Sequence, residues 1–348
     1  MTVLRQVIAC ILVQGSLIAA APLGAAPPAA RDFAARPEVR AFIDEMVETQ
    51  DFDRKALLRD FHAARPQRDV IAAMQRPLLE PPKWYEYSRR LLSARRIDGG
   101  VAWWNDNADV LARAEAQFGV PAEVIVAIVG VETDYGRNVG KYRAFDALAT
   151  LAFDYPRRAA FFRGELRDYL LLTRALGVPP RTLEGSFAGA LGVPQFMPGS
   201  YRSFAVDFDG DGRIDLWKSP ADVAGSVANF LARHDWQPGQ PALLPALIAP
   251  EARDDAMRRL DGGISERRAL ELWAADGVTA AVVPDTLAGE PVGLLMLEEA
   301  GDGQDAASFR IACHNFYVLT RYNRSRLYAT AVWDLAQAIR AQRGEPPR

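Results

Sequence analysis

The stretch Val120-Pro121-Ala122-Glu123-Val124-Ile125-Val126-Ala127-Ile128-Val129-Gly130-Val131-Glu132-Thr133-Asp134-Tyr135-Gly136 decides how this chain is read. Pro121 suits the first position of a helix, Glu123 its positive end, and Gly136 the residue that stops it. Between them the apolar side chains cover every face, and a helix that is apolar all round must be buried. One ionisable group, Glu132, stands at its far end. Lost hydration and the negative pole of the helix both disfavour a carboxylate there, so its pKa is expected to be raised. A carboxylic acid that keeps its proton near neutral pH is what a general acid requires. The plainer reading is a helix-end Glu bonded to a neighbouring Arg, and position alone does not separate the two.

Working outward, 348 residues correspond to about two domains at ~150 residues each. With 41 Lys and Arg against 44 Asp and Glu, the net charge of −3 offers no basic excess for a phosphate backbone, which argues against nucleic acid. An apolar share of 49% with 24% charged residues excludes disordered and fibrous classes. Residues 1–26 run from Arg5 through an apolar segment to Gly24-Ala25-Ala26, the order of a secretory signal. The mature chain is therefore expected to be exported, with no transmembrane segment. Cys10 sits in a lipoprotein-like box, but almost no apolar segment precedes it, which argues against lipidation. Without Cys10, Cys313 has no disulfide partner and is expected to be a buried, inert thiol.

Apolar residues at three and four spacing predict amphipathic helices over 37–49, 108–118 and 158–176. Pro-rich stretches at 80–82, 178–180 and 237–250 read as connections, and 291–297 with 308–312 as an antiparallel strand pair. The three histidines, His62, His234 and His314, lack metal-ligand spacing, so zinc is not expected. Neither a Gly-x-Ser-x-Gly elbow nor a phosphate loop is present.

Two further segments carry polar groups suited to sugars. In 185–201, glycines allow close approach, and Gln195 in Val193-Pro194-Gln195-Phe196-Met197-Pro198 offers a donor and an acceptor. Near the C-terminus, Arg321-Tyr322-Asn323-Arg324-Ser325-Arg326-Leu327-Tyr328 gathers aromatic and amide side chains. Each has a plain reading as well, a tight turn in the first case and packing or capping in the second.

With Glu132, these segments make the chain resemble the lytic murein transglycosylase B family. The likeness continues through Trp103-Trp104, through 147–158 and through Ser226-Val227-Ala228-Asn229-Phe230. It implies a mainly α (α+β) protein with a lysozyme-like helical core. The enzyme would cut the β-1,4 bond between N-acetylmuramic acid and N-acetylglucosamine of peptidoglycan without water, leaving 1,6-anhydromuramoyl ends in the periplasm. By the resemblance Glu132 is the single catalytic carboxylate, acid first and then base. Ser186, Gln195, Met197, Phe230, Tyr322, Asn323, Tyr328 and, on a looser match, Tyr87 line the cleft. The family usually has Tyr where this chain has Phe230, which puts a hydrogen-bonding role there in doubt. The expected partners are peptidoglycan glycan strands and components of cell-wall synthesis, with no organic cofactor. The expected division is 27–115 helical, 116–240 catalytic core, 241–312 accessory α/β, and 313–348 returning to the cleft. The rivals are a hydrolysing muramidase and a calcium-dependent binding protein without turnover.

Ordinary glycosidases need two carboxyl groups. Asp134, two residues after Glu132, leaves a helix on another side and reads as structural. One acid suffices where the substrate supplies its own nucleophile.

Asp207-Phe208-Asp209-Gly210-Asp211-Gly212-Arg213-Ile214-Asp215 matches the first nine positions of an EF-hand loop, with the Arg213 carbonyl as a further ligand, and predicts a structural Ca²⁺ in preference to the alternative of a metal-free acidic turn. Position 12 is Lys218, so the usual closing Glu is missing. Asp222 either closes a longer loop, as the resemblance suggests, or forms a capping box with Ser219 and Pro220, or does both.

Overall fold

The computed structural model describes residues 32–75, 82–280, 282–287, 289–301 and 306–345. The signal segment 1–26, Cys10 and the start of the 80–82 connection lie outside the described residues.

At the centre is the helix Ala122–Thr133, in which every residue except Glu132 is buried. Four helices wrap it: Ala94–Asp106, Ala108–Phe118, Pro220–Arg233 and the C-terminal Arg326–Gln342. Its ends differ from the expectation in instructive ways. Pro121 takes the N-cap position with extended backbone, and the first free N–H, that of Ala122, donates to Glu115 Oε2 at 3.0 Å. Glu123 is buried as well, and faces the Arg340 guanidinium at 3.3 Å. At the far end the helix stops at Thr133, before Gly136. Asp134, Tyr135 and Gly136 all turn left-handed, with φ of 52°, 60° and 83°. The Asp134 and Tyr135 N–H groups fold back onto the Gly130 and Val129 carbonyls.

Asp tolerates this backbone region, whereas Tyr is costly there. What holds Tyr135 is packing. Its ring folds under the central helix against Gly130 and against Gly99 and Gly100 of the neighbouring helix. Its hydroxyl donates to the Arg96 carbonyl at 2.7 Å. The glycine at 130 is thus a contact requirement, since a Cβ there would lie 2.5 Å from the Tyr135 hydroxyl.

The expected helices form at Pro37–Gln50, Ala108–Phe118 and Ala159–Ala175, the last preceded by a 3-10 turn at Pro156–Arg158. The first docks through Phe42, whose ring meets Phe61 and Phe153 edge-on. The main core runs without interruption from Phe33 to Ile339, so the two ends of the described chain share one interior.

The region between Leu243 and Ala312 builds a second, smaller core around the buried Trp273. Strands Pro291–Glu298 and Ala307–Ala312 pair antiparallel as expected, with Leu294 opposite Ile311. Among the described residues the sheet is larger than expected, at seven strands. Leu243–Ile248, inside the stretch read as a connection, is a strand that pairs with both Ala307–Ala312 and Val278–Ala280. Its alternation is masked in sequence by Pro245, which sits in the ladder opposite Arg310. Cys313 is fully buried, and burial pushes its thiol up to about 12, so it is inert at neutral pH.

Replacing Gly by Ala inside a helix ordinarily adds about 1 kcal/mol of stability. At Gly130 the sign should reverse: Gly130→Ala is expected to lose about 1–3 kcal/mol to the clash with Tyr135, as measured by urea unfolding.

Candidate active site

Glu132 is partly exposed on an otherwise buried helix, and one of its oxygens is held from across the fold. The hydroxyl of Tyr328, from the first turn of the C-terminal helix, donates to Glu132 Oε1 at 2.7 Å. Tyr328 is fully buried and stacks on Tyr322, with centroids 6.3 Å apart and planes at 13°. Tyr322 ends the helix His314–Tyr322, and its hydroxyl donates to the Pro194 carbonyl at 2.7 Å. The two rings thereby join the Glu132 helix to the segment around Gln195.

Phe230 lies behind Tyr322 in an aromatic cluster. Its ring is 4.8 Å from Tyr322, 5.6 Å from Phe196, 5.0 Å from Phe204 and 4.2 Å from His234. It is buried by these neighbours, so a packing role suffices for it. Asn323 caps the end of the same helix as Tyr322 and accepts the Ser325 N–H at 3.1 Å. Met197 caps the short helix Pro198–Phe204 and packs on the core. Tyr87 is buried in the helix Trp84–Leu91.

Two side chains read as sugar ligands have internal duties. The Ser186 hydroxyl accepts the Ala188 and Ala190 N–H groups at 3.3 and 3.0 Å, closing the turn of 186–190. Gln195, left-handed at φ 52°, donates both amide hydrogens inward, to Val139 and Gly192 carbonyls at 3.1 and 2.9 Å. Its contribution as a donor is thus committed, and its carbonyl oxygen is what remains to offer.

Asp134 is turned away from Glu132 and toward three arginines. Arg95 pairs with it at 2.7 Å, Arg137 at 3.5 Å and Arg96 at 4.0 Å. Sequence inspection passed over Thr133, whose buried hydroxyl donates to the Val193 carbonyl and accepts the Gly136 N–H, both at 3.0 Å. It also passed over Glu165, which faces the core side of its helix near Leu166 and Tyr169. Desolvation pushes its carboxyl up, against the Gly199 N–H that donates to it at 2.9 Å. The three-and-four spacing from Phe162 was the available signal.

In the acidic loop, carboxylate oxygens of Asp207, Asp209 and Asp211 all lie within 4.8 Å of one another. Gly212, sixth in the loop, turns at φ 86°. Three converging hard oxygen donors on a turn of this kind fit a cation that takes oxygen ligands. The Ser219 hydroxyl bonds to Asp209 at 2.7 Å and holds that carboxyl below its usual range. The other expected ligands lie on the loop's second half. Asp215 Oδ1 accepts the Trp217 and Lys218 N–H groups, and the Arg213 N–H goes to Asp211, leaving its carbonyl oxygen to the loop. Asp222 is 1% exposed and ties the loop's two flanks together, Oδ1 accepting from Phe208 N and Oδ2 from Asp215 N, both at 2.8 Å. Only half the capping box forms: Ser219 accepts the Asp222 N–H at 3.2 Å, while the Ser219 N–H goes to the Asp215 carbonyl.

The transglycosylase SLT domain family matches residues 34–337 of this chain. Membrane-bound lytic murein transglycosylase B of Escherichia coli is 41% identical over 318 residues, covering 88% of this chain and 84% of that protein. The structure of Escherichia coli lytic transglycosylase Slt35 in complex with calcium superposes with a TM-score of 0.80 at 40% identity, covering 90% of this chain and 96% of that one. That of Pseudomonas aeruginosa SltB3 in complex with NAG-anhNAM-pentapeptide superposes with a TM-score of 0.76 at 31% identity, covering 87% and 79%.

Asp222→Ala is expected to lower stability by about 2–4 kcal/mol, because two partly buried N–H donors lose their acceptor at roughly 1–3 kcal/mol each. Thermal melting with a chelator present measures this without any cation contribution, and Asp222→Asn, which keeps one acceptor oxygen, should lose less.

Proposed function

The chain belongs to the transglycosylase SLT domain family, and on that premise we propose that it is a lytic transglycosylase that cleaves peptidoglycan strands between N-acetylmuramic acid and N-acetylglucosamine, with Glu132 as its one catalytic carboxylate. The observation that carries this reading is the 2.7 Å bond from a fully buried tyrosine hydroxyl to an acid at the end of an apolar helix. Tyr328 orients the carboxyl group in either protonation state: it donates to Oε1 when the group is charged, and equally when a proton resides on Oε2. A group that must serve as acid and then as base needs an anchor of that kind.

In the first step Glu132 delivers its proton to the glycosidic oxygen as the C1–O bond breaks. In the second, the carboxylate removes the proton of the C6 hydroxyl as that oxygen closes onto C1, and the acid is regenerated. Both atoms belong to one sugar, so closure has an effective molarity on the order of 10⁵ M or more and outruns attack by water. Asp134 is withheld by its three arginines, which supports a mechanism without a second carboxylate. The ring of Tyr322, the Gln195 carbonyl oxygen and Met197 form the sugar-binding wall, with the buried Tyr328 and Asn323 set directly behind Tyr322. Ser186, Phe230 and Tyr87 support it from behind.

Ca²⁺ fits the cluster of Asp207, Asp209 and Asp211, with Asp215 and the Arg213 carbonyl as further oxygens and Asp222 bracing the loop rather than ligating. Its contribution is structural. Among the described residues no single helix is long and apolar enough to cross a membrane, and the signal-like start directs the chain to the periplasm.

Glu132→Gln keeps the shape and removes the proton, and should slow cleavage of purified murein by about 10²–10⁴-fold. Mass analysis of the parent's products should find anhydro ends. A mass higher by one water would make the enzyme a hydrolase, and undiminished cleavage by Glu132→Gln would overturn the acid assignment. Ca²⁺ at about 100 times its Kd should raise stability by about 2.7 kcal/mol, and the rise should vanish in Asp207→Ala and Asp211→Ala. A parent protein indifferent to Ca²⁺ would count against the metal.

A further inference from the structure

Glu132 and Thr133 are adjacent on a buried helix, and a closed path of contacts leaves from one and returns to the other. Thr133, 1% exposed, donates its hydroxyl to the Val193 carbonyl at 3.0 Å. The next residue, Pro194, accepts the Tyr322 hydroxyl at 2.7 Å. Tyr322 stacks on Tyr328, and Tyr328 returns to Glu132 Oε1 at 2.7 Å. The 192–195 segment that carries this path is pinned independently, by the Val193 N–H on the Leu216 carbonyl at 2.7 Å and by Gln195 on Val139.

The usual use of a helical Thr hydroxyl is a bond to the carbonyl four residues back. Here the Val129 carbonyl is 3.4 Å away, and the shorter contact runs across to Val193. We propose that Thr133 is a positioning residue for the reaction. Its hydroxyl sets the distance between the helix end and the Pro194 segment, which sets where the Tyr322–Tyr328 stack stands, which sets the direction of the Glu132 carboxyl group. This rests on the reading of Glu132 as the acid. The 192–195 segment is held from its other side by Leu216 and Val139, so losing the Val193 contact frees the helix end that carries Glu132 while Tyr328 still grips Oε1 from the Pro194 side. Misplacing a catalytic group by about 1 Å costs about 10²-fold in rate, so a single hydroxyl out of reach of the sugar acts on kcat.

The test compares Thr133→Val, which keeps the shape, Thr133→Ser, which keeps the hydroxyl, Tyr322→Phe, and the Thr133→Val/Tyr322→Phe pair. Turnover of a soluble muropeptide oligomer is measured on full-length protein, with circular dichroism melting as the folding control. Thr133→Val should lower kcat by about 10- to 100-fold with KM within about twofold, and Thr133→Ser should recover to within about threefold of the parent. Both cuts open the same path, so the double variant should be no slower than the slower single one. A Thr133→Val enzyme that melts lower yet keeps its kcat overturns the proposal, as does a serine variant as slow as the valine one, or single effects that multiply. Should the valine chain fail to fold, Thr133→Cys, with its weaker donor, takes its place under the same expectations. Glu132→Gln run alongside separates the two levels. If it retains activity, the acid assignment falls; if it is inactive while Thr133→Val is fully active, only the positioning role falls.

Discussion

Everything in this molecule is arranged around a helix that has no wet side. Once Ala122–Thr133 is apolar on all faces, four other helices must cover it, and the only place left for an ionisable group with access to solvent is its end. Glu132 occupies that place. The three left-handed residues that follow are the price of leaving the buried helix sharply, and the fold meets it with Tyr135, whose ring fills the gap that glycines at 99, 100 and 130 leave open. The same turn sends Asp134 away from the acid into a nest of arginines. A single short segment thus places one carboxylate beside Tyr328 and the other among arginines.

The central helix, its burial and the acid at its far end were legible because periodicity and burial are local properties of the string. So were the helices 37–49 and 108–118 and the strand pair at 291–297 and 308–312. The strand at Leu243–Ile248 was not, since a proline in its ladder imitates a linker and its pairing partners lie thirty or more positions away. The side-chain inventory behaved in the same way. Residue type singled out Tyr322 and Tyr328, which the fold stacks together beside Glu132, but Ser186 and Gln195 look identical in sequence whether they face a sugar or close their own turns. Only the distances to Ala190 and Val139 distinguish the cases. Thr133 escaped notice because its importance lies in a bond to Val193, sixty residues away.

The acidic loop shows a related division of labour. Its outer carboxylates, at 207, 209 and 211, face solvent together, while Asp222 is drawn inside to hold the loop's two ends by their backbone. Spacing in the chain could suggest either duty for Asp222. In the structure Asp222 is 1% exposed and receives the Phe208 and Asp215 N–H groups, one on each oxygen, which is the bracing arrangement. Leu216, next to Asp215 in this loop, also holds Val193 through its carbonyl, so the loop and the acid's surroundings share one piece of backbone.

Glu132 and Tyr328 are separated by 196 positions along the chain. The two partners of this bond therefore meet only when the helix Arg326–Gln342 has packed against Ala122–Thr133, so the surroundings of Glu132 are completed by a long-range docking event rather than by its own segment.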